Sequence, residues 1–159
     1  RRSVERRAPH PMRNASLDFD PEDLEIASRL TDAQRSELEA RIRAARSAGH
    51  AVTILFVHAP RHPACWLEGS VALHDLGDNL YLVAFARCHI DRGCALAERM
   101  VRLARDPRVR VGVAQVLPHT GRLDATFERA EQALSQALSG EPVASMHWAD
   151  TSREFLPAI

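Results

Sequence analysis

The stretch between residues 70 and 86 constrains the fold of this chain more than any other. It reads SVALHDLGDNLYLVAFA, and it contains two runs in which apolar residues occupy every second position. The alternating residues are Val71, Leu73, Tyr81, Val83 and Phe85. A period of two places such side chains on one face of a strand. Between the runs lies Gly77–Asp78, and a Gly beside an Asp suits a tight turn with positive backbone angles. The sequence therefore predicts a β-hairpin.

The second strand of this hairpin is apolar on both faces. Its other face carries Leu80, Leu82, Ala84 and Ala86. A strand that is apolar on both sides is typical of the middle of a sheet that helices cover on each side. The rest of the chain should therefore supply these covering helices.

Helical and strand patterns alternate along the rest of the chain. Helices are predicted over residues 31–48, 91–105 and 123–139, and strands over 51–58, 108–117 and 143–148, with a turn at 118–122. Thr31 and Gln34 fit a capping box at the start of the first helix, and Gly49 follows its end. This order predicts an α/β (α+β) domain with a mixed central sheet flanked by helices. Residues 59–69 leave only a short crossover between the first strand and the hairpin.

Composition limits the classes of function. The formal net charge is zero, so no overall field favours nucleic acid as a partner. Three cysteines without CxxC spacing argue against a disulfide framework and favour a reducing, cytoplasmic compartment. No apolar run is long enough to span a membrane. No pair of histidines or cysteines has a strong zinc spacing, so we expect neither a metal nor a cofactor. The residues that could converge on a metal ion are His58, His62, Cys65, Cys88 and His89.

Charge also suggests where the domain begins. Residues 1–29 are basic and then acidic, as in a solvated leader or a segment beside a membrane on its cytoplasmic side. We therefore predict a leader over 1–29, a domain over 30–148 and a tail over 149–159. The missing initiator Met suggests that the chain is part of a longer protein.

Four local strings resemble the GGDEF domain, the fold of diguanylate cyclases, over roughly residues 30–141. The turn of the hairpin, where the family has Gly-Gly-Asp-Glu-Phe, reads Leu76-Gly77-Asp78-Asn79-Leu80. The family's Ile-Gly-Val-Ala strand is similar to residues 111–114, VGVA, and its Arg-Ala-Asp and Ala-Leu-Tyr helix to residues 129–135, RAEQALS. Leu30-Thr31 matches the Leu-Thr that opens the family's domain. The resemblance implies the GGDEF fold.

The departures from the family's pattern imply that activity is lost. In cyclases, carboxylates at the end of the first strand and in the turn hold two metal ions. Here the strand ends in His58-Ala59, and Asn79 replaces the Glu of the turn. The guanine-binding helix has no room in residues 59–69, and Leu138 replaces a phosphate-binding Lys. The family's product-inhibition pair, Arg-x-x-Asp, is replaced by residues 67–70, LEGS.

The resemblance leaves two functions open. The first is a non-catalytic regulatory module that binds a protein partner, either a membrane-associated complex or a second copy. Its setting would be a bacterial cyclic-di-GMP system, such as cellulose or Pel exopolysaccharide secretion, where degenerate GGDEF-like domains occur. Residues 85–88, FARC, with Asp91 and residues 95–96, resemble a cellulose-secretion accessory protein. The alternative is a receptor that binds cyclic-di-GMP or a nucleotide through Arg61, Arg87 and Arg92, because guanidinium groups match phosphates.

Overall fold

The computed structural model describes residues 24–116 and 123–146. The helices are α1 (Ile26–Arg29), α2 (Asp32–Ser47), α3 (Ile90–Ala104) and α4 (Asp124–Leu138), with a single 3-10 turn at Pro63–Cys65. The strands are β1 (Val52–His58), β2 (Ala72–Gly77), β3 (Leu80–Ala86), β4 (Arg110–Gln115) and β5 (Val143–Met146). All six longer predicted elements and the hairpin are confirmed, with their ends shifted by one or two residues. The predicted turn at 118–122 and tail at 149–159 lie outside the described residues.

Within the described residues the strands form one sheet in the order β2-β3-β1-β4-β5. Strand β3 pairs with both β2 and β1, and β1 pairs with β4, all antiparallel. Strand β5 lies parallel to β4 at the edge. The mixed sheet predicted from the sequence is therefore confirmed, with the hairpin on one side of the buried strand β1.

The sheet separates two hydrophobic cores, as the two apolar faces of β3 predict. Leu80, Leu82 and Ala84 join the core beneath α1, α2 and α4. Tyr81, Val83 and Phe85 join the core on the opposite face, where α3 and the connection after β1 pack. Among the described residues, no helix is both long and apolar enough to span a bilayer.

Two predictions about the hairpin are wrong in detail. The buried side chains of β2 are Ala72, His74 and Leu76, whereas Leu73 is only half-buried. Leu73 packs against the core that contains Tyr81, Val83 and Phe85, but it stays half-buried because β2 is an edge strand with a neighbour on one side only. The central turn residues are Asp78 and Asn79, with φ of 56° and 63°, as in a type I′ turn. Gly77, at φ 83°, belongs to a register shift in β2 just before the turn.

Among the described residues, the packed unit begins ahead of the boundary predicted at residue 30. Leu24 and Ile26, assigned from the sequence to the leader, are buried in the core with Leu30. The backbone amide of Ile26 donates a hydrogen bond of 2.7 Å to the Glu131 carboxylate on α4. Burial raises the pKa of that carboxyl group. The globular unit therefore includes residues 24–29, while residues 1–23 lie outside the described part.

Helix α4 packs on β4 by close approach of the two backbones. A Cβ atom at Gly112 would lie 2.3 Å from the Leu134 amide nitrogen and 2.8 Å from the Ala130 carbonyl oxygen. Only glycine leaves room at such a contact. The Gly of the VGVA string is therefore explained by packing.

Candidate functional site

The hairpin turn and the end of β1 meet at one end of the sheet, which we call the turn end. His58 pairs with Leu80 on one side and with Arg110 on the other. The Ala59 amide donates to the Asn79 carbonyl at 2.9 Å, which joins the first residue after β1 to the turn. The two segments that would hold metal in the resembling family are thus adjacent here.

The end of β1 offers no carboxylate to this site. His58 is buried, with its Nδ1 at 3.4 Å from the carbonyl oxygen of Arg108, and Ala59 is completely buried. An imidazole and a methyl group therefore stand at the end of β1 where the resembling family has an anionic ligand.

The turn retains Asp78, but this carboxylate already has a partner. The Arg29 Nη1 atom lies 3.0 Å from Asp78 Oδ2 and 3.4 Å from the Leu76 carbonyl oxygen. Arg29 itself is 14% exposed, while Asp78 is 46% exposed. One guanidinium nitrogen therefore lies between two oxygens of the turn, where it supplies a fixed positive charge.

The nearby Asp75 has a structural role. Its Oδ1 accepts a hydrogen bond of 2.9 Å from the Gly77 amide, which stabilises the irregular end of β2. This is the side-chain-to-backbone bond that aspartates commonly make in turns. In the part of the chain that the structure describes, no three His, Cys, Asp or Glu side chains converge as a metal site would require.

Apolar side chains occupy the positions that correspond to the base-binding and phosphate-binding positions of the resembling family. The connection between β1 and β2 forms one 3-10 turn, and Trp66 and Leu67 from it pack on the core. Leu67 stands where the family's product-inhibition Arg would be, and it is buried. Leu138 at the end of α4 packs against the other core. Each of these three side chains therefore contributes to the packing of one of the two cores.

The three arginines proposed as a ligand site do not come together. Arg61 follows β1 at the turn end, where its guanidinium lies 5.8 Å from the centre of the Trp66 ring. Arg87 follows β3 and Arg92 lies in the first turn of α3, at the opposite end, which we call the far end. Seven residues of β1 separate the two ends, a distance of about 20 Å at the usual strand rise. The prediction of one cluster is therefore wrong, because antiparallel pairing sends the ends of β1 and β3 in opposite directions.

Comparison with solved structures identifies the fold. The GGDEF domain of DgcB from Caulobacter crescentus, in complex with c-di-GMP, superimposes with a TM-score of 0.56 and 14% identity, covering 71% of this chain and 86% of that one. The GGDEF domain of FimX from Pseudomonas aeruginosa superimposes with a TM-score of 0.54 and 13% identity. This match covers 72% of this chain and 91% of that one. The chain has the GGDEF fold. No protein-family model and no curated protein matches the sequence.

Within the GGDEF fold, the sequence did not indicate the contact that matters most at the turn. The charge pattern places Arg29 in the predicted leader, although this residue directly precedes the Leu30-Thr31 string. The signal was the spacing of Leu24, Ile26 and Leu30, which places apolar residues ahead of the capping box and anchors Arg29 to the domain.

Proposed function

We propose that this chain is a non-catalytic GGDEF-like regulatory module. It would act through protein contacts in a bacterial cyclic-di-GMP-linked system, such as cellulose or Pel-type exopolysaccharide secretion. The observation that carries the proposal is the Arg29–Asp78 ion pair beside a strand that ends in His58-Ala59.

The electrostatics of the turn argue against a bound divalent cation. Magnesium requires several oxygen ligands in near-octahedral geometry, usually with one or two carboxylates and the phosphates of the substrate. Asp78 is the carboxylate that remains, and a guanidinium already neutralises it. A metal ion would have to displace Arg29, whose side chain is mostly buried, and would find no carboxylate on β1.

A nucleotide substrate would also lack residues that bind its base and its phosphates. The short connection after β1 leaves no helix for a purine base, and Leu138 offers no charge to a phosphate. The metal-binding, base-binding and phosphate-binding positions are all lost together. This favours a role that requires the fold but not the cyclase reaction. A protein partner, either a membrane-associated complex or a second copy, follows from that role. The free cysteines agree with a cytoplasmic setting.

Incubation with GTP and either Mg²⁺ or Mn²⁺ tests the proposal. We expect no cyclic-di-GMP by chromatography, while an active diguanylate cyclase run alongside produces it. Turnover above the no-protein background that disappears in Asp78→Asn would refute the proposal.

A receptor for cyclic-di-GMP is the second candidate, because a GGDEF domain of similar structure was solved with that nucleotide. In this chain Arg87 and Arg92 share the far end and are exposed, whereas Arg61 is distant. Isothermal titration with cyclic-di-GMP separates the candidates. Saturable binding that Arg87→Ala weakens and Arg61→Ala leaves intact favours the receptor, and the absence of binding heat favours the interaction module.

A further inference from the structure

Helix α3 carries a row of side chains on the side that faces away from the sheet. Its inner side is buried, and Ala97 and Met100 from it join the core beneath. Four residues spaced by four, three and four positions lie in a row along the outside of the helix: Arg92, Leu96, Arg99 and Leu103. We call this row the α3 stripe. Three of its side chains are exposed, and Leu96 is half-buried.

The two arginines of the α3 stripe have no counter-ion in the described structure. Within residues 24–116 and 123–146, Arg92 and Arg99 make no ion pair and no hydrogen bond. The opposite face of the sheet differs, because Arg35 and Arg41 of α2 form ion pairs with neighbouring carboxylates. The positive charge of the α3 stripe therefore faces solvent without compensation from the fold.

The acidic residues near α3 lie outside this stripe. Asp91 and Glu98 are seven residues apart, and they share a neighbouring row of the helix with Arg102. Neither carboxylate faces the arginine that follows it in the sequence, because successive residues of a helix point in different directions. Asp106, just beyond the end of α3, is already paired with Arg108. The α3 stripe therefore contains two cations and no anion.

The stripe also contains an exposed apolar side chain. Leu103 is 50% exposed, and in the part of the chain that the structure describes it is the only large apolar side chain classed as exposed. It lies eleven positions after Arg92, which is about 16–17 Å along a helix. Cationic and apolar side chains thus alternate over three turns, at the spacing through which one helix packs against another.

The charges of the stripe decide among its possible occupants. Two copies joined through this stripe by a two-fold axis would place the arginines of one copy against those of the other, and like charges repel. A bilayer binds a helix through a broad apolar face, and that face of α3 is already packed on the sheet. A helix that carries carboxylates beside apolar side chains matches both the charge and the spacing.

We propose that the α3 stripe binds an acidic amphipathic helix of a partner protein. Carboxylates of that helix would pair with Arg92 and Arg99, while its apolar side chains would cover Leu96 and Leu103. This inference rests on the proposed function, because it names the class of partner through which the module would act. The GTP turnover assay does not involve α3. Failure of this inference would therefore leave the non-catalytic character standing, and turnover would refute that character without affecting binding at the stripe.

Two synthetic helical peptides test the stripe by NMR titration of the full chain. One face of each peptide alternates Leu with a charged residue at spacings of three and four positions, with Glu in one peptide and Lys in the other. We expect the Glu peptide to give saturable shifts of the Leu96, Arg99 and Leu103 amides. These shifts should weaken as the salt concentration rises, because salt screens exposed charges. The Lys peptide should give none.

Reversal of the charge of the stripe supplies the decisive variant. Arg92→Glu combined with Arg99→Glu should weaken binding of the Glu peptide about tenfold or more and should create binding of the Lys peptide. Binding of the Lys peptide would also show that the variant is folded. Arg43→Glu, at an exposed arginine of α2, is the matched control and should leave both results unchanged.

Two outcomes would overturn the proposal. One is a Glu peptide that does not shift the amides of the stripe, or that binds the doubly substituted chain as it binds the parent. The other is binding of the stripe to vesicles of equal parts phosphatidylserine and phosphatidylcholine without binding of the Glu peptide. The stripe would then be a membrane contact and not a site for a protein helix.

Discussion

The packing of α4 on β4 leads to a quantitative prediction at Gly112. In Gly112→Ala the new methyl carbon would meet the Leu134 amide nitrogen at 2.3 Å, where ordinary contacts begin near 3.4 Å. Helix and strand would have to separate by about 1 Å, because the clash is with backbone and no rotamer relieves it. A gap of that size forfeits about a quarter to a half of each contact across it.

The residues that would lose contacts are Ala130, Ala133, Leu134 and Ala137, all completely buried. Overpacking of a core usually costs about 1–3 kcal/mol. Replacing glycine with alanine also reduces the conformational entropy of the unfolded chain. Where the backbone angles suit alanine, this stabilises the fold by about 0.4–1 kcal/mol. Because the clash is with backbone, we take the upper end of the overpacking cost, and after subtracting this gain we expect Gly112→Ala to lower the free energy of unfolding by about 2 kcal/mol.

Urea unfolding, followed by circular dichroism, measures this difference. Gly140→Ala is the matched control, since its Cβ would meet only the Gln136 carbonyl oxygen at 3.2 Å, and it should change stability by less than about 1 kcal/mol. Trimming Leu134 to Ala in the Gly112→Ala background should not restore stability, because the obstructing atoms belong to the backbone. Equal unfolding midpoints for Gly112→Ala and the parent would refute the described packing.

Three further predictions concern the turn and the N-terminal segment. Gly77→Val should cost about 1–3 kcal/mol, because a β-branched residue is strained at φ 83°, and thermal melts will measure it. Asp78→Asn should cost no more than about 1 kcal/mol in the same melts, since Asn tolerates the turn and the lost ion pair is half-exposed. Glu131→Gln should raise stability at pH 7, because the partly buried carboxyl group has a raised pKa in the folded state and an amide oxygen can still accept the hydrogen bond from the Ile26 amide. Because the pKa of Glu131 is higher in the folded state, this residue contributes its full stability at pH values below its unfolded-state pKa. It loses that contribution as the pH rises through its folded-state pKa. The advantage of Gln should therefore vanish in acid. Unfolding at pH 7 and at acidic pH checks this, and a pH-independent difference would contradict it.

The sequence predicted most of the fold because its signals were local. Alternation in β3, the Thr31 capping box and the glycine after α2 each determine structure within a few residues, and all are confirmed. The edge strand β2 was harder, since the burial of Leu73 depends on how many strands lie beside it.

The site was less predictable because its contacts are distant in sequence. Arg29 and Asp78 are 49 residues apart, and Ile26 and Glu131 are 105 apart, so no periodicity links them. The identities at the degenerate positions were visible in the sequence. The separation of Arg61 from Arg87 was not, because it follows from the antiparallel register of β1 and β3.

Thermal melts with and without Mg²⁺ or Mn²⁺ test the central claim most directly, that the turn is structural and not a metal site. A ligand that binds only the folded state raises its stability in proportion to the logarithm of ligand concentration over Kd. With Asp78 held by Arg29, we predict the same melting temperature in either metal as in chelator. A metal-dependent rise in the parent that is absent from Asp78→Asn would contradict the account.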